Sequence, residues 1–247
     1  MKQNYYSLIV FTGLLLFWEL IIRIINIPAY LLPTPLIIFN EIYKNFPSLL
    51  FHSSITLAET LAGFALGSVC ALLISLVFVN SKLIRSHFLP YFISLKTIPI
   101  IAVAPLVILW FGHGIGSKVI IVALACFFPI LVNSTKGFLT INKDHLDLFK
   151  SLNASKLDDF IHLRIPSALP YIFAGLKVSA TLAVLGAIVG EFIGANKGLG
   201  FLMLISSNYL ETATLFSAII MTSLIGMGLF SAISFFERKI VFWVKEE

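Results

Sequence analysis

The sequence predicts an all-α integral membrane protein with six transmembrane helices. Of its 247 residues, 59% are hydrophobic and only 12% are charged, whereas soluble domains carry about 25% charged residues. Six apolar runs are long enough to cross the roughly 30 Å of a bilayer's hydrocarbon. We place these spans at residues 7–27, 55–79, 88–111, 118–139, 168–194 and 213–236. Nothing between the spans indicates a second domain, so we expect residues 1–247 to form one transmembrane domain.

The first apolar run is predicted to be a retained span rather than a cleaved signal peptide. It continues through Glu19 to Ile27 without the small residues of a cleavage site. Glu19 and Arg23 lie four residues apart with the acid first, which is the favourable order for a helical ion pair. We interpret this pair as structural.

A short helix is predicted after the first span. Thr34 suits the N-cap position and Pro35 suits the first helical position. Apolar residues then recur at helical spacing from Leu36 to Phe46, and Pro47 ends the pattern. This amphipathic segment is expected to lie in the membrane interface on the outer side.

The distribution of Lys and Arg predicts that both termini are cytoplasmic. With the N-terminus inside, twelve of the 17 Lys and Arg residues lie in cytoplasmic segments, four lie in outer segments, and Lys96 lies within a span. Membrane proteins keep an excess of these residues on the cytoplasmic side. This orientation places the charged segment 144–167, which we term the polar loop, in the cytoplasm.

Small residues and prolines mark special positions within the spans. Gly186, Gly190 and Gly194 repeat every four residues in the fifth span, a pattern that lets helix backbones approach closely in lipid. The row is typical of fixed packing within one bundle, although glycine-packed helices can also slide against each other. Pro99, Pro105 and Pro129 are predicted to kink the third and fourth spans and to open a cavity at membrane depth.

Three ionisable residues are candidates for a solute pathway. Glu59, Lys96 and Glu191 lie inside spans or near their ends, where an ionisable group is costly and is therefore a functional candidate. Lys96 would suit an anion if it faced a cavity. The two acids would cost little if they lay at the outer interface instead.

Composition and spacing argue against catalysis, metal binding and nucleic-acid binding. The glycine-rich segment 112–118 lacks the order of a phosphate-binding loop, so we do not expect this chain to hydrolyse ATP. The five histidines lack ligand spacing, and Cys70 and Cys126 fall in apolar spans as expected buried, unpaired thiols. The net charge of +5 is not gathered into a basic cluster that could hold nucleic acid. We therefore expect no catalytic residues, no metal and no cofactor.

The polar loop is predicted to fold into two short helices. Residues 144–152 form the first, and Asn153 suits the left-handed position that follows a helix. Ser155 is predicted to cap the second helix by accepting a hydrogen bond from the amide of Asp158. That helix is expected to end before Pro166.

These residues resemble the EAA motif of binding-protein-dependent ABC importer permeases, in which EAA is followed at fixed distances by glycine and by I-x-L-P. The matching positions hold Asp147-Leu148-Phe149, Asn153 and Leu163-Arg164-Ile165-Pro166, so the spacing is kept while the residues differ. Further segments resemble the branch that handles nitrate, sulfonate, taurine, bicarbonate and thiamine precursors. They lie at residues 96–99, 104–106, 109–112, 117–118, 127–129, 168–172 and 198–200.

The resemblance implies a type I importer permease with the MetI-like bundle, a multi-pass protein surrounded by lipid in the plasma (inner) membrane of a prokaryote. Such a permease would act as a homodimer with two cytoplasmic ATPase subunits and an external solute-binding protein, and the motif loop would be the coupling helix that contacts the ATPase. That contact would fall here on Asp147, Lys150, Ser151, Leu152, Asn153, Ala154, Ser155 and Pro166.

Two questions stay open at the level of sequence. The resemblance implies a thiamine-pyrimidine precursor or a sulfonate- or nitrate-like oxyanion as substrate, with selectivity lying mostly in the binding protein. The alternative is a self-sufficient secondary transporter or channel, which predicts inverted repeats or discontinuous helices, and the sequence shows no clear repeat.

Overall fold

A computed structural model describes residues 2–243 of the chain, and within that range every regular element is a helix. The helices are α1 (Lys2–Ile25), α2 (Pro35–Lys44), α3 (Phe46–Asn80), α4 (Lys82–Leu95), α5 (Ile100–Phe111), α6 (Ile115–Leu139), α7 (Lys143–Ser151), α8 (Lys156–Asp159), a π-helical turn (Phe160–Arg164), α9 (Ile165–Gly194), α10 (Leu199–Asn208) and α11 (Thr212–Ile240). The predicted all-α class is confirmed.

The core of the bundle lies where α6 packs between α3 and α9. Its fully buried residues include Ala71 of α3, Cys126 and Ile130 of α6, and Ala183 of α9. Small side chains dominate the contacts of α3 and α9 with α6, because close packing rather than water exclusion holds helices together in lipid. This arrangement brings the ends of α3, α6 and α9 together on each side of the bundle.

Four continuous helical segments in the described range are long and apolar enough to cross a membrane. They are α3, α6, α11 and the stretch Lys156–Gly194. Helices α4 and α5 would form a fifth span together, bent by 98° at the residues between them. Pro99, which directly precedes α5 in an extended conformation, prevents α4 from continuing straight into α5.

The short helix predicted after the first span is present as α2. The hydroxyl of Thr34 accepts a hydrogen bond from the amide of Ile37 at 3.4 Å, and Pro35 occupies the first helical position as predicted. Pro47 does not end the structure there, because it falls in the first turn of α3, where a missing N–H costs nothing. The Glu19 carboxylate bonds Arg23 at 2.8 Å and the amide of Leu36 at 3.2 Å, so it also joins α1 to α2.

The expectation that a helix ends before Pro166 is wrong. The chain runs from α8 through the π-helical turn directly into α9. Proline lacks an N–H and its ring crowds the carbonyl four residues earlier in an α-helix. The amide of Ile165 instead bonds the carbonyl of Phe160, five residues back, and this wider turn accommodates the proline without breaking the helix.

The two cysteines differ from the expectation that both are buried. Cys126 is buried in the core, whereas Cys70 is exposed on α3. Helix periodicity explains the difference, because the neighbouring Gly67 and Ala71 occupy the face of α3 that meets the bundle. Both thiols are free, as predicted.

Candidate functional site

The polar loop forms two helices that meet at Asn153. Its φ of 52° places it in the left-handed region. The amide of Ala154 donates to the carbonyl of Phe149 at 3.0 Å, which is the six-to-one bond of a Schellman motif closing α7. The predicted left-handed turn is confirmed.

A capping box starts α8. The Ser155 hydroxyl accepts from the amide of Asp158 at 3.2 Å, and the Asp158 carboxylate accepts from the amide of Ser155 at 3.1 Å. Hydrogen bonds from the Ser155 side chain and backbone lower the pKa of the Asp158 carboxyl, which lies in the polar loop. The predicted cap is confirmed.

Large apolar side chains project outward from the polar loop. Leu148, Leu152, Leu157 and Ile161 are 54%, 69%, 65% and 45% exposed. The loop is too polar to lie in lipid, so these side chains would face water in an isolated chain. A grouping of exposed apolar side chains on a polar segment is therefore a candidate protein interaction surface.

The residues that the motif assigned to ATPase contact are mostly at this surface. Asp147, Ser151, Leu152, Asn153 and Ser155 are exposed, and Ala154 and Pro166 are half-buried. The side chain of Lys150 lies outside the part of the chain that the structure describes.

The base of the polar loop is packed onto the bundle. Phe160 stacks on Phe138 of α6 with ring centroids 6.1 Å apart, and Leu163 is 6% exposed. Arg164 Nε donates a hydrogen bond to Asp159 Oδ2 at 2.7 Å. The helix α8, the π-helical turn and α9 are continuous, so the second half of the polar loop is a direct extension of α9.

Lys96 lies at the bend between α4 and α5 and borders a cavity of about 510 Å³. The lining is mostly apolar and comes from α4, α5, α6 and α9, with Phe128 and Leu185 among its residues. Two of the three prolines that were predicted to open a cavity, Pro99 and Pro129, line it, whereas Pro105 inside α5 does not.

Glu59 and Glu191 do not line that cavity. They are 4% and 0% exposed and lie together near the opposite end of the bundle from the polar loop, beside Lys118, which is 2% exposed. The structure thus brings two of the three pathway candidates together and leaves Lys96 apart.

Lys118 is the member of this cluster that sequence reasoning missed. Lys118 is one of the four Lys and Arg residues assigned to outer segments, and it is also the first residue of the fourth predicted span. The rule that flags ionisable residues in spans applies to it as well.

Glu191 is fixed by donors from two other elements. Its carboxylate accepts from the Thr56 hydroxyl at 2.7 Å and from the amide of Gly200. The Thr56 hydroxyl accepts from the amide of Leu199 at 2.8 Å, and His52 Nδ1 accepts from the amide of Gly198 at 3.0 Å. The free amides at the start of α10 are therefore bonded by side chains of α3 and α9.

Lys118 bonds the C-terminal end of α9. Its ammonium donates to the carbonyl of Gly194, the last residue of α9, at 2.6 Å, and to the carbonyl of His113. A cation is favoured at a helix C-terminus, where carbonyls lack partners.

The glycine row of α9 faces α6 and α5. A Cβ at Gly186 would lie 3.1 Å from Val122 Cα, and one at Gly190 would lie 3.1 Å from Lys118 Cγ. One at Gly194 would lie 2.8 Å from Ile108 Cδ1. The row therefore lies at close helix contacts.

Within residues 2–243, no group of three or more His, Cys, Asp or Glu side chains is arranged to hold a metal ion.

The chain is similar to known transport proteins over most of its length. Residues 63–242 match the family described as binding-protein-dependent transport system inner membrane component. The formylaminopyrimidine transport permease protein ThiX of Halalkalibacterium halodurans is 37% identical, over all of both chains. The putative aliphatic sulfonates transport permease protein SsuC of Bacillus subtilis is 30% identical, over 92% of this chain and 83% of that protein.

The fold also matches a solved structure, an inward-facing conformation of the MetNI methionine ABC transporter. The TM-score is 0.63 at 19% identity, over 81% of this chain and 98% of the other.

Proposed function

Because the chain belongs to the family of binding-protein-dependent transport system inner membrane components, we propose that two copies of it form a translocation pathway together with two cytoplasmic ATPase subunits and an external binding protein. The protein is an ABC importer permease of the inner membrane, a transport subunit rather than an enzyme. The alternative, a self-sufficient secondary transporter or channel, predicts discontinuous helices, and the break between α4 and α5 is one. Membership of the permease family nevertheless excludes that alternative.

The permease is proposed to cross the membrane six times with both termini in the cytoplasm. The 24 residues of α1 would extend about 36 Å, and the bent pair α4 and α5 would supply another crossing. The continuous stretch Lys156–Gly194 would extend about 58 Å over its 39 residues. That length is nearly twice the hydrocarbon thickness, so its first part projects from the membrane with the polar loop.

The polar loop is proposed to be the coupling element that docks on the ATPase. The observations that carry this proposal are the exposed apolar side chains of the loop, including Leu148 and Leu157, and the continuity of α8 with α9. ATPase closure would move the loop, and the π-helical turn and α9 would carry that movement into the bundle. The motif positions from Asp147 to Ser155, with Pro166, form the proposed contact region.

Replacing Asn153 with proline tests this coupling. Proline requires a φ near −65°, which is incompatible with the 52° of Asn153, so the junction between α7 and α8 should be distorted. We expect Asn153→Pro to reach the membrane normally while ATP hydrolysis no longer drives uptake. Asn153→Gly is the matched control, because glycine adopts this backbone conformation without strain.

The measurement is uptake by cells expressing the variant with its ATPase and binding protein, alongside ATPase activity of the purified complex. Normal uptake by Asn153→Pro would exclude the proposed coupling role. Failure of any ATPase subunit to copurify with the unmodified permease would exclude the proposed assembly.

The solute pathway is proposed to include the cavity beside Lys96. Its apolar wall suits a small organic solute, and the Lys96 ammonium suits a negative charge on it. The relatives point to a pyrimidine precursor of thiamine or to a sulfonate, because ThiX is named for formylaminopyrimidine and SsuC for aliphatic sulfonates.

A further inference from the structure

Three ionisable side chains are buried together at the end of the bundle opposite the polar loop. Glu59 of α3, Lys118 of α6 and Glu191 of α9 are each no more than 4% exposed. Two ionised carboxylates and one ammonium would leave a net negative charge in a region of low polarity, which is costly. A single proton held between the carboxyl groups would make the cluster neutral.

The hydrogen bonds distinguish the two carboxyl groups. Glu191 accepts from Thr56 and from Gly200, and it lies at the positive N-terminus of α10. Glu59 Oε2 is buried and receives a hydrogen bond from no donor in residues 2–243. Glu59 lies one helical turn after Thr56 on the same buried face of α3, and Thr56 bonds Glu191, so the two carboxyl groups are neighbours. Two neighbouring buried carboxyl groups repel each other unless one of them holds a proton.

The surrounding groups agree with a proton on Glu59. Donors stabilise an ionised carboxylate, whereas a buried carboxylate without donors is destabilised. Lys118 compensates one negative charge and also bonds the C-terminus of α9. His52 Nδ1 accepts a hydrogen bond from Gly198 and is thereby unprotonated, and His113 contributes a backbone carbonyl.

The start of α10 depends on this cluster. The amide of Gly200 bonds Glu191, and a Cβ at Gly198 would lie 2.3 Å from Glu191 Cδ. The carboxyl group thus occupies the space directly against the backbone of residues 198–200.

We propose that Glu59, Lys118 and Glu191 form a charge-neutral triad holding one proton on Glu59, and that ionised Glu191 positions the N-terminus of α10 within the permease. Glu191 is a positioning residue, and Glu59 and Lys118 set its charge balance. The triad joins α3, α6, α9 and α10 at one end of the bundle.

The test compares amide and acid side chains in the permease–ATPase complex purified in detergent. Hydrogen exchange by mass spectrometry reports on the segment 198–206, and infrared spectroscopy reports on the carbonyl band of a protonated carboxyl group. Glu59→Gln replaces a neutral acid by a neutral amide, so exchange in 198–206 should match the unmodified protein while the protonated-carboxyl band is lost. Glu191→Gln should accelerate exchange in this segment about tenfold, the effect of losing a charge-assisted hydrogen bond, and leave exchange in α6 unchanged.

A double variant separates charge balance from positioning. Lys118→Met alone leaves a buried negative charge and should reduce the amount of permease in the membrane. Lys118→Met combined with Glu191→Gln is again neutral, so the amount should recover while exchange in 198–206 remains fast.

The opposite pattern would overturn the proposal. If Glu59→Gln and Glu191→Gln accelerate exchange in residues 198–206 equally, both carboxyl groups are ionised. If only Glu59→Gln accelerates exchange there, the proton is on Glu191. Uniformly faster exchange throughout the complex of Glu191→Gln would show a general structural role instead of a local positioning one.

Discussion

At the scale of single residues, the backbone next to Glu191 leaves no space for a side chain. Gly198 has a φ of 106°, and a Cβ there would lie 2.3 Å from Glu191 Cδ. Gly200 is similar, with its Cβ position 2.9 Å from Glu191 Cβ. Both glycines are therefore required by the geometry of the buried carboxyl group and, at Gly198, also by the backbone conformation.

Replacing Gly198 with alanine is expected to destabilise the permease by about 1–3 kcal/mol, from backbone strain and overpacking together. The thermal unfolding midpoint of the detergent-solubilised protein should fall accordingly. Gly116→Ala is the matched control, because its Cβ position has no neighbour within 4 Å. An equal effect of both substitutions would mean that the contact with Glu191 is unimportant.

Single residues of the polar loop were predictable because their signals are local. The serine cap at Ser155 and the left-handed turn at Asn153 depend on neighbours within a few positions. The partners of Lys118 were not predictable in the same way, since Gly194 and Glu191 lie more than 70 residues away in sequence. Only tertiary packing brings an ammonium from the start of one span to the end of another.

At the scale of helices, glycine sets the distance between α3 and α6. A Cβ at Gly67 would lie 2.6 Å from the carbonyl oxygen of Ala123 and 3.0 Å from its Cα. These are backbone atoms, which cannot move aside as a flexible side chain does. The two helices therefore approach to backbone contact at this point.

Gly67→Ala should consequently separate α3 from α6 and destabilise the permease by about 1–3 kcal/mol. Gly228→Ala in α11 is the control, because nothing lies within 4 Å of that position. The comparison is the unfolding midpoint and the amount of each variant in the membrane. If Gly67→Ala leaves stability unchanged, α3 and α6 can move apart at this interface at little cost in free energy.

Helix ends were predicted well where a cap defines them and poorly where proline does. Thr34 and Pro35 begin α2 as their chemistry requires. Pro166 was expected to stop a helix, but the π-helical turn from Phe160 to Arg164 lets the chain continue into α9. In a π turn the amide bonds the carbonyl five residues back instead of four. We find no local pattern in the sequence that predicts such a turn.

At the scale of the whole molecule, hydropathy predicted the apolar helices but not their relative arrangement. Five of the predicted spans fall within α3, α4 with α5, α6, α9 and α11, and the first, 7–27, runs two residues past the end of α1 at Ile25. The 98° bend between α4 and α5 and the cavity beside it depend on how these helices pack. Hydropathy measures only whether a segment tolerates lipid, so it contains no information on which faces meet.

The proposed orientation predicts which residues are accessible from each side of the membrane. Ser155→Cys in the polar loop should react with a membrane-impermeant maleimide only after the cells are opened. Lys197→Cys, between α9 and α10, should react in intact cells, since both positions are exposed. The unmodified chain, with native Cys70 and Cys126, measures the background. Reaction of Ser155→Cys in intact cells would reverse the proposed topology.

The cavity beside Lys96 leads to a prediction that distinguishes the two proposed substrate classes. Lys96 is the cation that borders this mostly apolar space, and its attraction for a solute depends on the charge of that solute. If the importer carries a sulfonate, Lys96→Met should lower the uptake rate at subsaturating concentration by about tenfold, the loss of roughly one charge interaction in a partly desolvated site. If it carries an uncharged pyrimidine, Lys96→Met should change uptake by less than about twofold.

The measurement is uptake by cells that express the permease with its own ATPase and binding protein. The cells are supplied with radiolabelled formylaminopyrimidine or with a radiolabelled aliphatic sulfonate, and Lys96→Arg serves as the control that keeps the charge. If the transported solute is an anion and Lys96→Met leaves its uptake unchanged, Lys96 does not lie on the pathway, because removing an ammonium beside the path of an anion must change the rate of its passage.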